Sequence, residues 1–260
     1  MRLSSLIVVS ALAAGCGGEG ASQGGASGSG GASGSGGASS GLGGASGSGG
    51  ASSGGSCEPP EDYTGDATYY DFADGSGACS FDPTPNDLMV AALNAPDWAG
   101  SALCGACAAV TGPKGTVTLR IVDLCPECKH GDLDLSPVAF DRIAERSAGR
   151  VRITWKLVAC HVEGPIAYKF KEGSNQWWTA VQLRNLRYPV SKLEFQQGNE
   201  PFVSVPRESY NYFVQASGMG PGPYRFRVTD RYGHVLEDDG IPFEEGGVKS
   251  GALQLPECAP

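Results

Sequence analysis

The sequence predicts a mainly β protein in two folded parts, and three observations carry that reading. Short segments of alternating apolar and polar residues, separated by Gly, Pro, Asn and Ser clusters, recur from Tyr63 onward. Helical periodicity is confined to brief stretches before Cys160. After Cys160 the helical signals stop and strand-and-turn spacing runs to the C-terminus. In the first part, residues 63–70 are a strand candidate and residues 87–93 (DLMVAAL) read as a short helix. Residues 106–110 and 116–122 are apolar strands joined by the turn at 111–115, TGPKG. Ser136 and Pro137 read as the N-cap and first position of a helix that continues VAFDRIAER, with Val138, Phe140, Ile143 and Ala144 on one face and an end near Gly149. Residues 152–158 alternate, with Ile153, Trp155 and Leu157 on one side.

In the second part, Trp177, Thr179, Val181 and Leu183 share a face, as do Tyr224, Phe226 and Val228 with Arg225 and Arg227 opposite. Turn signals at 172–174, 197–199, 218–222 and 232–233 complete the spacing of an antiparallel sandwich of about 95 residues. The expected domains are 57–161 and 162–260. The junction His161-Val162-Glu163-Gly164-Pro165 is too short for a flexible linker, so the domains are expected to keep a fixed relation.

Ahead of both lies a segment that cannot build a core. Residues 17–56 are Gly, Ala or Ser except for Glu19, Gln23 and Leu42. Such a segment buries too little to offset its ordering entropy, so a disordered linker is expected. Residues 1–16, MRLSSLIVVSALAAGC, have the charged start, apolar centre and small-residue end of an export signal. Cys16 stands where a bacterial lipobox places its lipidated cysteine, although Ala13 occupies the usual apolar position three before it. The expectation is a protein secreted or held at the cell surface, lipid-anchored to a bacterial outer membrane through Cys16. An ordinary cleaved signal is the alternative. A 40-residue Gly/Ser tether would span roughly 35 Å. Net charge is −9 and the pI about 4.8, which argues against nucleic-acid binding. No apolar run is long enough for a spanning helix, so any membrane contact would be the lipid alone.

Nine cysteines are present, and without Cys16 eight remain: Cys57, Cys79, Cys104, Cys107, Cys125, Cys128, Cys160 and Cys258. An even set in an exported chain reads as four disulfides. The paired C-x-x-C motifs at Cys104/Cys107 and Cys125/Cys128 also match zinc-ribbon spacing. Four further cysteines and an oxidising compartment argue against zinc. Cys125-Pro-Glu-Cys128 lacks the apolar helix that should follow a redox site. No metal and no cofactor are expected.

Two constellations could carry chemistry. Asp123, Glu127, Asp132 and Asp134 fall within 12 positions, between a strand end and a helix start. Clustered carboxylates can separate in pKa, one kept protonated and one ionised, as acid catalysis at a glycosidic oxygen requires. A solvated acidic loop explains the same composition. The second is aromatic: Trp177 and Trp178 follow Lys171-Glu-Gly-Ser, with Tyr210 and Tyr212 downstream. Flat rings suit the apolar faces of sugars. Adjacent strand residues point to opposite sides, so both indoles share a surface only if the strand ends or bulges there, and Trp177 reads equally well as core.

Taken together these residues resemble the expansin family, its bacterial members above all. The motifs are ATYY at 67–70, GACSF at 77–81, CGAC at 104–107, VTLRIVDLCPE at 117–127, GDLDLSPVAFDRIA at 131–144, KEGSNQWW at 171–178, AVQLRNLRYPV at 180–190 and YNYFV at 210–214. The resemblance implies a six-stranded double-psi β-barrel, related to glycoside hydrolases of family 45, followed by an immunoglobulin-like β-sandwich that binds carbohydrate. It implies loosening of plant cell walls through noncovalent cellulose–matrix contacts, without bond cleavage. By the same resemblance Asp134 matches the carboxyl needed for loosening, with Thr68, Asp123 and Glu127 in the same groove. Cys125 replaces a groove Tyr. Trp177, Trp178 and Tyr210 match a linear platform for cellulose, and Lys171 an accessory binding residue. Plant-type relatives imply the bridges Cys79–Cys104 and Cys107–Cys160, leaving Cys125–Cys128 and Cys57–Cys258.

Asp71 departs from the family's small residue and stands where the related hydrolases carry their base. The expected function is therefore a non-hydrolytic, monomeric protein that binds cellulose and related neutral β-glucans and loosens walls. An inverting β-1,4-glucanase using Asp134 as acid and Asp71 as base, or a cellulose-binding surface adhesin, are the alternatives. The charge adds a testable expectation. At low salt a chain of net charge −9 is repelled by pectate. Pull-down on pectate should fall well below pull-down on cellulose, and equal retention on the two would contradict it.

Overall fold

The computed structural model describes residues 61–258. The expected export signal at 1–16, lipidation at Cys16, the linker at 17–56 and the Cys57 half of the Cys57–Cys258 bridge lie outside the described residues. Among the described residues no helix is long and apolar enough to cross a membrane.

Six strands close into a barrel. They are β1 (Asp62–Tyr69), β2 (Val90–Asn94), β3 (Cys107–Gly112), β4 (Gly115–Cys125), β5 (Leu133–Leu135) and β6 (Val151–Val158), in the spatial order β1-β5-β2-β4-β3-β6. Two neighbour pairs, β1 with β5 and β2 with β4, are parallel, and the others are antiparallel. Alternation fills the interior: Ile153, Trp155 and Leu157 from β6 and Leu133 and Leu135 from β5 are all buried. The Trp155 ring stacks on Tyr63 at 4.0 Å, and its Nε1 donates to the Gly131 carbonyl at 2.8 Å.

Residues 87–93 do not form the expected helix. Their second half is β2, a strand between β5 and β4 whose five residues are all buried. Ala91 and Leu93 face the barrel core, while Val90 packs outside against Val122 and Ala73. A strand covered on both faces reads as a continuous apolar run, which periodicity cannot tell from a buried helix. Helix α1 (Ala95–Trp98) follows it, capped by Asn94, whose side chain accepts from the Asp97 amide. Helix α2 (Pro137–Ile143) starts as expected, with Ser136 Oγ accepting from the Ala139 amide at 3.0 Å. It is shorter than expected, because Ala144 turns extended and a separate 3₁₀ turn, Arg146–Ala148, precedes Gly149. Its buried face is Ala139, Phe140 and Ile143, whereas Val138 is exposed. Phe140 sets that rotation by packing on Tyr69 at 5.0 Å.

The second domain is a sandwich of two four-stranded antiparallel sheets. One has the order β10 (Val203–Val205), β9 (Val190–Gln196), β12 (Tyr224–Asp230), β13 (Val235–Ile241). The other is β11 (Phe213–Gln215), β8 (Thr179–Arg184), β7 (Ala167–Phe170), β14 (Val248–Ser250). Tyr168 and Phe226 stack across the core at 4.8 Å. Trp177 does not share the core face: β8 begins two residues later, and Trp177 is 71% exposed.

The two domains are tied by hydrogen bonds at full length. Gln182 Nε2 donates to the carbonyls of Cys79 (2.9 Å) and Ser80 (3.2 Å), and Asn211 Nδ2 donates to Cys79 (3.1 Å). Ser101 Oγ donates to the Glu208 carbonyl at 2.8 Å, and Arg207 Nη1 to the Ser101 carbonyl at 3.0 Å. Disulfides join Cys79 to Cys104, Cys107 to Cys160 and Cys125 to Cys128.

One close backbone approach holds the barrel seam. A Cβ on Gly65 would lie 2.2 Å from the Gly131 carbonyl oxygen, and one on Gly131 would lie 2.3 Å from that of Thr64. Gly65→Ala should therefore destabilise by about 1–3 kcal/mol, the usual range for overpacking. Urea unfolding checks it, and an unchanged midpoint would mean that β1 can step away from residue 131.

Candidate functional site

Strand register builds the barrel site. Thr68 of β1 lies beside Asp134 of β5, Asp134 faces Ala92 of β2, and Ala92 pairs with Asp123 of β4. Because Leu133 and Leu135 point into the barrel, Asp134 between them points out. A row Thr68–Asp134–Ala92–Asp123 thus crosses the outer surface of four strands. Ala92 contributes only a methyl group, so the row is a shallow trough with a hydroxyl at one end and carboxylates on either side. A register shift between Ala91 and Ala92 skips Val122, which lets Asp123 join the row.

The carboxylates that the sequence groups together take different tasks. Asp134 is half-buried, and its Oδ1 accepts from Thr68 Oγ1 at 2.5 Å. Burial raises its carboxyl above the ordinary range; the Thr68 bond opposes this, and the Glu127 and Asp123 charges add to it. Asp123 Oδ1 accepts from the amides of Ala78 (2.7 Å) and Leu124 (2.8 Å), so it pins the loop over the trough. Glu127 is exposed within the Cys125–Cys128 loop and reaches Asp134 only through its charge. Asp132 is structural: its oxygens accept from the amides of Asp66 (2.7 Å) and Lys129 (3.1 Å).

Tyr70, two residues beyond Thr68, lies on the same side. Its hydroxyl is shielded from solvent without a hydrogen-bond partner, and burial with the Asp123, Asp134 and Asp74 charges holds it well above the usual phenol range. Sequence reasoning passed over Tyr70, though the two-residue spacing from Thr68 was the signal. Asp71 directly follows Tyr70. It is exposed in the turn after β1, and its charge acts on Arg146, whose guanidinium lies 5.9 Å from the Tyr69 ring.

The aromatic site depends on a turn. Asn175 Oδ1 accepts from the amides of both Trp177 (2.9 Å) and Trp178 (3.2 Å), so the two indoles leave a turn rather than a strand. Trp177 stands in solvent, while Trp178 packs on Ala180, Tyr212 and Val214. Tyr210 lies 5.9 Å from Tyr212, and the Lys171 ammonium lies 5.9 Å from the Tyr212 ring. Trp177, Trp178, Tyr210, Tyr212 and Lys171 thus belong to one surface region of the β11-β8-β7-β14 sheet. Gly218 permits the neighbouring loop to lie on it, since a Cβ there would come 2.4 Å from the Trp177 Cα.

Segment 77–82 connects the two sites. Its Ala78 amide binds Asp123 in the trough, and its Cys79 and Ser80 carbonyls accept from Gln182 and Asn211 beside the aromatic surface. The arrangement can hold an extended polymer by ring stacking at one end and offer it a carboxyl and a hydroxyl at the other. Among the described residues no group of three or more His, Cys, Asp or Glu could hold a metal ion.

Comparison with known proteins gives concordant findings. The lytic transglycolase family profile matches residues 63–155. Expansin-YoaJ of Bacillus subtilis is 37% identical over 204 residues, covering 75% of this chain and 87% of that protein. Expansin-like protein 5 of Dictyostelium discoideum is 29% identical, covering 65% of this chain and 75% of its own. The crystal structure of apo Clavibacter michiganensis expansin superposes with a TM-score of 0.70 at 33% identity, covering 75% of this chain and 98% of that one. A mutant of that expansin in complex with cellohexaose matches with the same score and coverage.

The Asp134 environment fixes a pH dependence. Its folded carboxyl is raised above the ordinary 3.8, so the folded state holds this proton more tightly than the unfolded chain does. That contribution to stability is complete below the ordinary value and is lost as pH rises through the folded one. The stability of Asp134→Asn relative to the parent should therefore increase from about pH 3 to about pH 7. Denaturant midpoints across that range measure it, and a difference independent of pH would place Asp134 in free solvent.

Proposed function

This chain belongs to the expansin family, and from that premise we propose that it binds cellulose-type β-glucans and loosens plant cell walls without cutting them. The observation that carries the reading is the outward-facing Asp134, its carboxyl raised by burial and bonded to Thr68, in a trough tied through segment 77–82 to the aromatic surface. The cellohexaose complex of the Clavibacter relative supports a glucan as ligand. In this reading Trp177, Trp178 and Tyr210 stack on the apolar faces of successive sugar rings, with Lys171 beside them. Asp134 and Thr68 offer hydrogen bonds to the hydroxyls of the same chain or a neighbouring one. The bonds made to the protein replace bonds that glucans make to each other, so a chain is drawn off its neighbours with no covalent step.

A hydrolytic reading rests on one observation, that a carboxyl with a raised pKa can donate a proton to a glycosidic oxygen. An inverting enzyme also needs a base about 6.5–9.5 Å from the acid, with room for water. Asp71 would have to serve, yet it sits exposed where its charge acts on Arg146. Loosening makes no such demand. The adhesin reading keeps the aromatic surface and assigns the trough no role. In all three the protein works outside the cell, held by lipid at Cys16. Labelled palmitate incorporated into the parent and lost in Cys16→Ala tests that anchor.

The function itself is tested with the full chain on cellulose, mixed-linkage β-glucan and isolated walls. Trp177→Ala and Trp178→Ala should each weaken cellulose retention up to about tenfold, since an aromatic contact contributes roughly 0.5–1.5 kcal/mol. Asp134→Ala should retain cellulose binding and lose wall creep. Reducing ends should stay at the level of the blank. Release that both Asp71→Ala and Asp134→Ala abolish would replace loosening with hydrolysis, and full creep in Asp134→Ala would leave adhesion.

A further inference from the structure

One residue combines a strained backbone with full exposure of a large ring. Phe72 has φ +71°, in the left-handed region, and is 96% exposed. The other non-glycine residues at positive φ among the described residues are Ser80, Ala99, Ser101, Asn185 and Asn211, all with small or amide side chains. A bulky residue in this conformation is an outlier, and glycine would adopt it freely. The ring buries almost nothing, so packing does not offset the strain. Strain that persists without a packing reason points to a functional one.

The loop that carries Phe72 is anchored along its length. Tyr70 donates its amide to the Leu135 carbonyl at 3.1 Å, so the chain stays beside β5 up to residue 70. Ala73 is buried on Val90 of β2 and Val122 of β4. The Asp74 amide donates to the Phe72 carbonyl at 2.8 Å, and the Thr84 amide to the Asp74 carbonyl at 2.7 Å. Asp74 Oδ1 accepts from the Ser76 amide (2.9 Å) and hydroxyl (2.5 Å). Gly77 lies too close to Asp123 to carry a Cβ, and the Ala78 amide bonds that carboxylate. Phe72 therefore does not owe its exposure to a loose segment.

These anchors set the loop along one side of the trough. The strand order there is β1-β5-β2-β4, and the trough row is Thr68–Asp134–Ala92–Asp123. Val90 stands two residues before Ala92 on the same outward side of β2, so Ala73 on top of it covers the row beside the trough. Phe72 falls between the β5 anchor and the β2 contact, level with Asp134 and Ala92 in the order of strands. The trough itself offers a hydroxyl, two carboxylates and one methyl group. A flat ring at its rim supplies the apolar face that this floor lacks.

We propose that Phe72 is a further glucan contact, its ring stacking on the apolar face of a sugar unit of a neutral β-1,4-glucan held beside Asp134. This rests on the cellulose-type reading above and gives the trough a stacking group of its own, independent of Trp177 and Trp178. The carboxylates around the ring decide for a neutral sugar: Asp71 and Asp74 flank Phe72 in the loop, and Asp134 and Asp123 line the trough, so an anionic chain is repelled.

Two variants of the full chain test it. Phe72→Trp, made together with Trp177→Phe and Trp178→Phe, leaves the buried Trp98 and Trp155 and one exposed indole at position 72. Its emission should move to shorter wavelength and saturate with cellohexaose, and should not respond to maltohexaose. Phe72→Gly removes the ring and relieves the backbone. Its urea midpoint should equal or exceed that of the parent while wall creep falls at least about twofold, and cellulose retention, which the aromatic surface supplies, should stay within about twofold. An emission that ignores cellohexaose or answers maltohexaose equally, or parental creep in Phe72→Gly, would overturn the proposal and leave the loosening reading standing. A lowered midpoint accompanying the lost creep would make Phe72 a structural residue instead. A parent with neither cellulose binding nor creep would sink the reading itself, and this contact with it.

Discussion

The three-residue strand β5 organises the barrel and the trough alike. It pairs parallel with β1 on one side and antiparallel with β2 on the other, so removing it would open the barrel. Its alternation sends Leu133 and Leu135 inward and Asp134 outward, which makes a core contact and a functional group from consecutive residues. The segment leading into it is correspondingly over-determined. Asp97 accepts from the Gly131 amide at 3.0 Å and contacts His130 Nδ1 at 2.7 Å, Asn94 Nδ2 donates to the Asp132 carbonyl at 3.0 Å, and Trp155 donates to Gly131. A register slip of one residue would bury the Asp134 carboxyl and expose two leucines.

Much of this was legible in the sequence, and the reasons for the exceptions are physical. Strands with one face to solvent, such as β6 and β12, announce themselves by alternation. The N-cap of α2 is equally plain, because Ser136 and Pro137 have few other roles before an apolar run. Residues 87–93 misled because β2 is covered on both faces and has no polar positions to reveal its period. Trp177 misled in the alternation pattern because one asparagine, Asn175, holds it through two amide bonds in the turn that precedes β8.

The site was legible in a different sense. Four nearby carboxylates could be found from spacing, but not sorted. Sorting needed the partners, which come from distant segments: Ala78 for Asp123, Asp66 for Asp132, Thr68 for Asp134.

The double duty of Cys79 has a mechanical consequence. Its carbonyl accepts from Gln182 and Asn211 of the sandwich, and its side chain is covalently joined to Cys104 of the barrel. A glucan pulled across the aromatic surface would strain the sandwich against the barrel. That tension would pass through the Cys79 carbonyl into a residue anchored by a covalent crosslink, and would reach the Asp123 loop one residue away. In the proposed reading, Cys79 is thus the residue through which load on the aromatic surface would reach the trough.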